Sequence, residues 1–294
     1  MRIILGVEYD GSAFFGWQWQ EGGLRTVQDA VQKAASKVAN HLVTVICTGR
    51  TDTGVHALEQ VVHFDTQAVR SLRSWQMGIN ANLPDDVRVI WAQEAVGDFH
   101  ARYSAIARFY RYIILNRPTR SALQRDRVTW CHHQLDVEKM HQAAQVLVGS
   151  HDFTSFRALK CQSVSPMRLM YFVEVYRQDE QIIMDISANA FLHHMVRNIA
   201  GVLMAIGTGD KPVAWTQELL ACKNRQIGGV TASPHGLYLG GVYYPEKYGL
   251  PKHQIFNKLP ANAQRFQHET YAVSPGRDDS LQKAQGNSPN GSAR

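Results

Sequence analysis

The residues best suited to chemistry lie in the segment 49–56, which reads Gly-Arg-Thr-Asp-Thr-Gly-Val-His. Glycines bracket a single carboxylate, Asp52, together with two hydroxyls and the guanidinium of Arg50. Apolar, β-branched runs on both sides predict that the segment is a loop between two strands. In a structural role Asp52 would bond nearby backbone, as Asp commonly does in turns. In a catalytic role Arg50 and the glycines would hold Asp52 ionised at the rim of the sheet. The loop alone leaves both roles open.

A second set of polar residues lies in the segment 189–198, Asn-Ala-Phe-Leu-His-His-Met-Val-Arg-Asn. Apolar residues recur here at helical spacing and predict a helix over residues 191–206, with Arg197 on the stripe next to the buried one. An arginine on a largely apolar helix needs a carboxylate, because a charge removed from water without a partner costs several kcal/mol. Asp52 is one candidate partner for Arg197, and Asp185 is another.

Metal and cofactor sites are not expected. The adjacent histidines at 132–133 and 193–194 lack the i, i+4 spacing of a helical zinc site, since neither a strand nor a helix points neighbouring side chains at one ion. The chain has no Gly-x-x-x-x-Gly-Lys-Ser/Thr motif, and its Gly-Thr-Gly-Asp at 207–210 follows a predicted helix rather than a strand. We therefore expect no metal and no nucleotide cofactor.

Charge is concentrated in one stretch. The whole chain of 294 residues carries a net charge of +6, whereas residues 99–130 hold seven arginines, five Phe or Tyr residues and a single acid, Asp126. Arginine mixed with aromatic side chains suits a surface that neutralises phosphates and stacks on unpaired bases. A strand with a solvated arginine face explains the composition of this stretch equally well.

The order of predicted elements indicates the fold. Residues 1–98 follow the order βαββαβ, with Thr26 and Ser71 as helix N-caps and strands at 2–10, 42–47, 57–64 and 87–94. Much the same order returns over residues 99–247 with longer insertions. We therefore predict an α+β fold of two ferredoxin-like βαββαβ halves, which form a mostly antiparallel sheet with a central cleft and helices on the outer face. Residues 248–294 are poor in apolar residues and predict a disordered tail.

Apolar stretches and cysteines bound the environment of the chain. The longest apolar stretches are interrupted by glycine and fall short of the ~20 residues that a membrane span needs, so we expect no membrane contact. The four cysteines lie far apart without a Cys-x-x-Cys pair, which predicts neither a disulfide framework nor a zinc knuckle. This pattern favours a reducing, cytoplasmic setting.

Several motifs, in order along the chain, resemble the tRNA pseudouridine synthase A family. They are Tyr-Asp-Gly-Ser-Ala-Phe-Phe-Gly-Trp-Gln at 9–18, Thr-Val-Gln at 26–28, the loop 49–56, His-Ala-Arg at 100–102, the strand 108–112, His-Asp-Phe-Thr-Ser-Phe at 151–156, the segment 191–198 and Gly-Leu-Tyr-Leu at 236–239. The resemblance runs from about residue 2 to residue 245. It implies an enzyme that isomerises uridine to pseudouridine at positions 38, 39 and 40 in the anticodon stem-loop of tRNA, as a homodimer and without cofactor or metal.

The resemblance also implies roles for individual residues. The family's nucleophilic aspartate falls on Asp52, its uracil-stacking tyrosine on Tyr110, its aspartate-pairing arginine on Arg197 and an apolar residue near the flipped base on Leu237. Tyr110 is in addition a candidate acceptor of the uracil C5 proton, and Arg50 is a candidate for substrate binding beside Tyr110 and Leu237. Three arginines of the basic stretch are candidates for contact with RNA: Arg102, Arg108 and Arg111.

Two other functions remain compatible with parts of the sequence. Ferredoxin-like sheets with surface aromatics also form RNA-recognition modules, although the chain has no Lys/Arg-Gly-Phe/Tyr-Gly/Ala-Phe-Val strand. A nucleoside-cleaving hydrolase would also use a carboxylate, but glycoside hydrolysis usually needs a second carboxyl group at a defined separation. Isomerisation instead requires that water be excluded, or the uracil would be lost.

Overall fold

The computed structural model describes residues 1–159 and 161–251, which form an α+β fold. The strands are β1 (Arg2–Tyr9), β2 (Ile46–Cys47), β3 (His56–Asp65), β4 (Val87–Glu94), β5 (Ala107–Asn116), β6 (Thr129–Cys131), β7 (Gly149–Asp152), β8 (Met167–Gln178), β9 (Gln181–Ala188) and β10 (Leu237–Tyr243). The α-helices are α1 (Val27–Ala39), α2 (Leu72–Asn80), α3 (Val137–Gln145), α4 (Met195–Gly207) and α5 (Trp215–Cys222).

One sheet carries all of these strands. Its order is β4-β1-β3-β10-β5-β9-β8-β7, with β2 paired to β3 and β6 paired to β5 beside this path. The pairing is mostly antiparallel, as the sequence predicts. The exceptions are β10 with β3 and β6 with β5, which run parallel. Strand β10 is the last strand of the described residues along the chain, yet it lies in the middle of the sheet between β3 and β5.

The helix starts follow from local capping chemistry. The side chain of Thr26 accepts a hydrogen bond from the backbone N–H of Asp29, and Ser71 caps α2 in the same way. Asp136 caps α3 by accepting from the backbone of Lys139. These side chains satisfy N–H groups that the first turn of a helix leaves without partners. The predicted starts of α1 and α2 are confirmed.

Three elements differ from the prediction. The strand predicted over 42–47 is reduced to Ile46–Cys47. Strand β7, Gly-Ser-His-Asp, was not expected, because it has neither apolar alternation nor β-branched residues. Helix α4 begins at Met195 rather than at residue 191, because His194 has a left-handed backbone (φ 62°) that no helix can continue through.

The ends of the fold bear on two further predictions. Within the described part of the chain, none of the helices has the length and apolar character needed to cross a membrane. Tyr248, at the start of the predicted tail, is buried and donates a hydrogen bond from its hydroxyl to Asp98. Residues 252–294, which make up the rest of that tail, lie outside the described residues.

A buried carboxylic acid lies in the N-terminal half of the sheet. Glu59 on β3 is 4% exposed, and the indole N–H of Trp91 on β4 donates to its Oε1 over 3.2 Å. Trp91 reaches across β1 because Gly6 lies opposite it; a Cβ atom at Gly6 would lie 2.2 Å from the indole nitrogen. Burial raises the pKa of Glu59 to about 7, an effect that the hydrogen bond from Trp91 only partly offsets.

We predict that Glu59→Gln stabilises the protein increasingly as the pH rises from about 4.5 to about 7. In this interval the folded state keeps the Glu59 proton and the unfolded state loses it, so the wild type loses stability with rising pH whereas the amide does not. The expected gain of the variant relative to the wild type is about 3 kcal/mol at pH 7. Urea unfolding at several pH values measures this difference. A difference that does not change with pH would contradict the raised pKa.

Candidate active site

Backbone hydrogen bonds hold the loop that carries Asp52 between β2 and β3. The N–H of Trp17 donates to the carbonyl of Thr51 over 3.0 Å, and the N–H of Gly54 donates to the carbonyl of Phe14 over 3.3 Å. The motif at 9–18 therefore supports the loop that carries Asp52. Because these bonds lie on both sides of Asp52, they fix the direction in which its side chain leaves the loop.

Three cationic or potentially cationic groups surround the carboxylate of Asp52. Arg197 Nη1 lies 3.3 Å from Oδ2, His194 Nε2 lies 3.4 Å from the same oxygen, and His193 Nε2 lies 3.3 Å from Oδ1. The Asp52 side chain is 21% exposed, so part of it remains accessible. Residues that are 145 positions apart in sequence thus meet at one group.

Electrostatics keep Asp52 ionised. Burial alone would raise the pKa of this carboxyl group, but the hydrogen bond with His193 and the charges of His194, His193 and Arg197 outweigh it and lower the pKa. In return, the hydrogen bond to Asp52 raises the pKa of His193. The pKa of His194 is lowered, mainly because its ring loses water on burial. The lowered pKa favours an ionised Asp52 at neutral pH.

The two histidines were not expected to point at one place. The predicted helix over residues 191–206 would make the two neighbouring side chains diverge, and this prediction is wrong at residues 191–194. Both residues precede α4, and the left-handed backbone of His194 turns the chain so that the two ring centroids lie 4.0 Å apart. A non-glycine residue with positive φ is uncommon, although histidine is among the types enriched there. Such strained residues tend to cluster at functional sites.

Arg197 is oriented from two sides. Its Nε donates to the carbonyl of Ala232 over 2.8 Å while Nη1 faces Asp52. The alternative partner Asp185 is engaged elsewhere: it forms a bidentate pair with Arg111, which lies directly opposite on the neighbouring strand, with both N···O distances at 2.7 Å. Of the two candidate partners, the structure brings Arg197 to Asp52.

Tyr110 and Leu237 line the same region of the sheet. Tyr110 lies on β5 opposite Leu239 of β10, and Leu237 lies opposite Tyr112, so these side chains share one face. The ring of Tyr110 contacts Phe191 edge-on, with centroids 5.0 Å apart. Burial, and secondarily the negative charge of Asp52, raise the pKa of Tyr110. Its hydroxyl is therefore protonated at neutral pH, which favours stacking and hydrogen-bond donation over acceptance of a proton.

The candidate arginines occupy different environments. Arg50 is exposed and is not among the groups that contact Asp52. Arg108 donates to three backbone carbonyls, those of Ala105, Asn189 and Arg102, and Arg111 is held by Asp185. Arg102 is exposed, with its guanidinium carbon 5.6 Å from the centroid of the Tyr103 ring. Arg102 and Arg50 are thus the more accessible to a ligand.

One group of side chains in the described residues has the composition and spacing of a metal site. A carboxylate oxygen of Asp52 and one ring nitrogen each of His193 and His194 all lie within 4.8 Å of one another. The only sequence signal for this cluster is the histidine pair itself, directly before the helix that carries Arg197.

A protein-family model matches most of this chain. The family model described as tRNA pseudouridine synthase matches residues 6–104 and 143–245, which is more than half of the chain. The matched parts include the Asp52 loop and the segment with the histidines and Arg197. The chain belongs to the tRNA pseudouridine synthase family.

Curated relatives are similar over most of their length. A tRNA pseudouridine synthase A of Methylococcus capsulatus is 61% identical over 267 residues, which cover 91% of this chain and 98% of the relative. A tRNA pseudouridine synthase A of Pseudomonas aeruginosa is 55% identical over 254 residues, covering 86% and 89%. Among solved structures, an H/ACA ribonucleoprotein bound to a substrate RNA containing 2′-deoxyuridine aligns with a TM-score of 0.34 at 11% identity, over 69% of this chain and 43% of that chain.

A glycine allows the supporting motif to approach the Asp52 loop. Gly16 has φ +81°, and a Cβ atom there would lie 2.7 Å from the carbonyl oxygen of Thr51. Gly23 has a similar backbone conformation, φ +73°, but nothing lies within 4 Å of the position its Cβ would take. The two glycines therefore separate the cost of backbone strain from the cost of a collision with the loop.

We predict that Gly16→Ala lowers the free energy of unfolding by roughly 1–3 kcal/mol more than Gly23→Ala does, because only Gly16→Ala pushes a methyl group into the loop. Both substitutions carry a similar cost for positive φ. Denaturant unfolding of the two variants measures the difference. Equal losses would show that the motif at 9–18 does not support the loop through this contact.

Proposed function

We propose that this protein isomerises uridine to pseudouridine at positions 38, 39 and 40 in the anticodon stem-loop of tRNA. The observation that carries the proposal is the contact between Asp52 and Arg197, which joins the two motifs that the family resemblance singles out. The names of the relatives support tRNA as the substrate class. The reaction moves a glycosidic bond from N1 to C5 of the same uracil, so its atoms balance without a cofactor.

In the proposed mechanism Asp52 is the nucleophile. Its lowered pKa keeps it ionised, and its accessible part can approach the ribose or the base of a flipped uridine. Asp52 adds to the sugar or the base as the N1–C1′ bond breaks, the uracil turns within the site, and C5 bonds to C1′ as Asp52 is released. C5 then loses its proton to solvent and N1 takes one up, so the product is an isomer of the substrate. Arg197 keeps the carboxylate charged and oriented between steps.

Tyr110 and Leu237 are proposed to hold the uracil while it is detached. Tyr110 is 9% exposed and Leu237 is 5% exposed, so the protein encloses most of each side chain and leaves only a small part of it open to a base. Stacking on an aromatic ring is worth ~1–3 kcal/mol per base and does not depend on the orientation of that base. Such a platform suits a ring that must rotate without leaving.

The target uridine lies in a stem-loop, so it must flip out at a cost of a few kcal/mol. Contacts with phosphates from the basic stretch are proposed to offset this cost. Arg102 is the first candidate because its side chain is exposed, whereas those of Arg108 and Arg111 are partly buried. Arg50, which is exposed and lies within the loop that carries Asp52, is proposed to bind the substrate.

We also propose the architecture that the sequence predicts. The halves at 1–98 and 99–247 would each be ferredoxin-like, and the strand order β4-β1-β3 with β2 beyond β3 supports this description for the first half. A homodimer is proposed from the family resemblance. A cytoplasmic location is proposed from the cysteine pattern.

We predict that Asp52→Asn leaves tRNA binding largely intact and reduces tritium release from C5-labelled uridine in tRNA by more than ~10³-fold. The amide cannot act as the nucleophile, but its shape preserves the site. Asp29→Asn, a surface carboxylate on α1 that pairs with Lys33, is the matched control and should keep full turnover.

The same assay separates the alternatives. Turnover by Asp52→Asn close to that of the wild type would remove Asp52 from the mechanism. Release of free uracil by the wild type would identify a hydrolase instead, and tRNA binding by the wild type without tritium release would identify a non-catalytic RNA-binding protein.

We predict that Arg102→Ala weakens the binding of tRNAs of different sequence about equally and reduces the slope of log affinity against log salt by up to ~0.9. Binding titrations at several salt concentrations measure this slope. Arg73→Ala, an exposed arginine on α2 outside the basic stretch, is the control. An equal change of slope in both variants would mean that the basic stretch has no special role.

A further inference from the structure

We propose that Asp52, His193 and His194 form a binding site for a divalent transition-metal ion such as Zn²⁺, and that the bound ion inhibits the enzyme. The metal is not a cofactor in this proposal. It takes the carboxylate that the reaction needs. Metal binding depends only on the geometry of the three side chains, whereas inhibition also rests on the proposed role of Asp52.

The local backbone creates the convergence on which this proposal depends. Because His194 is left-handed and lies just before α4, two consecutive imidazoles face one carboxylate rather than opposite sides of an element. Their Nε2 atoms lie 3.3 Å and 3.4 Å from the two oxygens of Asp52. The same ring nitrogens can serve as ligands when the imidazoles are neutral.

These separations match what a small ion needs. Zn²⁺ binds imidazole nitrogen at about 2.0–2.1 Å and carboxylate oxygen at about 2.0–2.2 Å in tetrahedral geometry, which places ligand atoms roughly 3.3–3.5 Å apart. Each histidine nitrogen lies within this interval of one oxygen of Asp52, His193 of Oδ1 and His194 of Oδ2. For a site in which Asp52 gives a single oxygen, the three ligand atoms lie within 4.8 Å of one another, and a small rotation of the 46% exposed His193 side chain would bring them closer.

The donor set selects the class of metal. Two imidazoles and one carboxylate suit Zn²⁺, Co²⁺, Ni²⁺ or Cu²⁺, whereas Mg²⁺ and Ca²⁺ prefer sites made of oxygen ligands. Three protein ligands leave the fourth position of a tetrahedral ion for water. The Mg²⁺ that accompanies tRNA would therefore not compete for this site.

Arg197 limits the affinity of the site. Its Nη1 lies 3.3 Å from the Asp52 oxygen that also faces His194, so an incoming cation meets a fixed positive charge. The metal must also displace any proton held between His193 and Asp52. Both effects weaken metal binding while leaving all three ligands in place. The ion should therefore dissociate readily, and inhibition of the enzyme should be reversible.

The chain offers an internal control for histidine pairs. His132 and His133 are also adjacent, with ring centroids 3.8 Å apart, and both are exposed. Within residues 1–159 and 161–251, the cluster at Asp52 is the one group of three such ligands close enough to hold an ion, and the pair at 132–133 is not part of it. Two adjacent histidines without a carboxylate should bind the ion far more weakly.

The test uses the full-length protein without RNA, because RNA itself binds metal ions. Titration with Co²⁺ should produce the intense visible d–d absorption of a four-coordinate ion, and Zn²⁺ should abolish it by displacement. His193→Gln and His194→Gln should each lower Co²⁺ affinity by at least ~10-fold, since losing a ligand costs no less than losing its outer-shell partner. His132→Gln should leave the spectrum and the activity unchanged.

A second readout addresses inhibition. Zn²⁺ should suppress tritium release by the wild type, a chelator should restore it, and both histidine variants should be less sensitive relative to their own activity without metal. Co²⁺ spectra that are unchanged in His193→Gln and His194→Gln would overturn the metal site. Spectral binding without inhibition would overturn the regulatory part. A protein that binds Co²⁺ as expected but never isomerises uridine would contradict the proposed function and leave the metal site standing.

Discussion

The site depends on keeping one largely buried carboxylate charged. Removing Asp52 from water favours its neutral form, and the structure counters this with groups from a distant part of the chain: the Arg197 guanidinium and two imidazoles. Compensation of this kind works only over short distances, because the Coulomb energy falls with separation and with access of water. The start of α4, the anchoring of Arg197 on Ala232 and the support of the loop by the motif at 9–18 all maintain these few separations.

The parts of the fold and site that follow local rules could be predicted from the sequence. Thr26 and Ser71 are residue types that commonly cap helices, and they mark the starts of α1 and α2. An arginine on an apolar helix requires an acidic partner, and this requirement limited the candidates for Arg197 to Asp52 and Asp185. The convergence of His193 and His194 could not be predicted, because the left-handed conformation of His194 departs from the helical pattern around it. Strand β7 was missed for a similar reason: its pairing with β8 defines it, and its own residues do not.

The basic stretch shows where composition misleads. Its arginines look alike in sequence, but alternation along β5 sends Arg108 and Arg111 to opposite faces. Arg111 finds Asp185 directly across the sheet, and Arg108 is held by carbonyls of neighbouring loops. Accessibility to a polyanion is thus decided by strand register and by neighbouring loops. Neither the register nor the loops follow from the number of arginines in the stretch.

The central position of β10 in the sheet has a consequence for folding during synthesis on the ribosome. Residues 237–243 are synthesised after strands β1 to β9, yet β3 and β5 both pair with them. A nascent chain that stops shortly before residue 237 holds two partial sheets whose open edges can pair with other chains. The interval before β10 emerges is therefore when molecular chaperones have the most to protect, and termination of synthesis before residue 237 would leave an aggregation-prone fragment rather than a shortened enzyme.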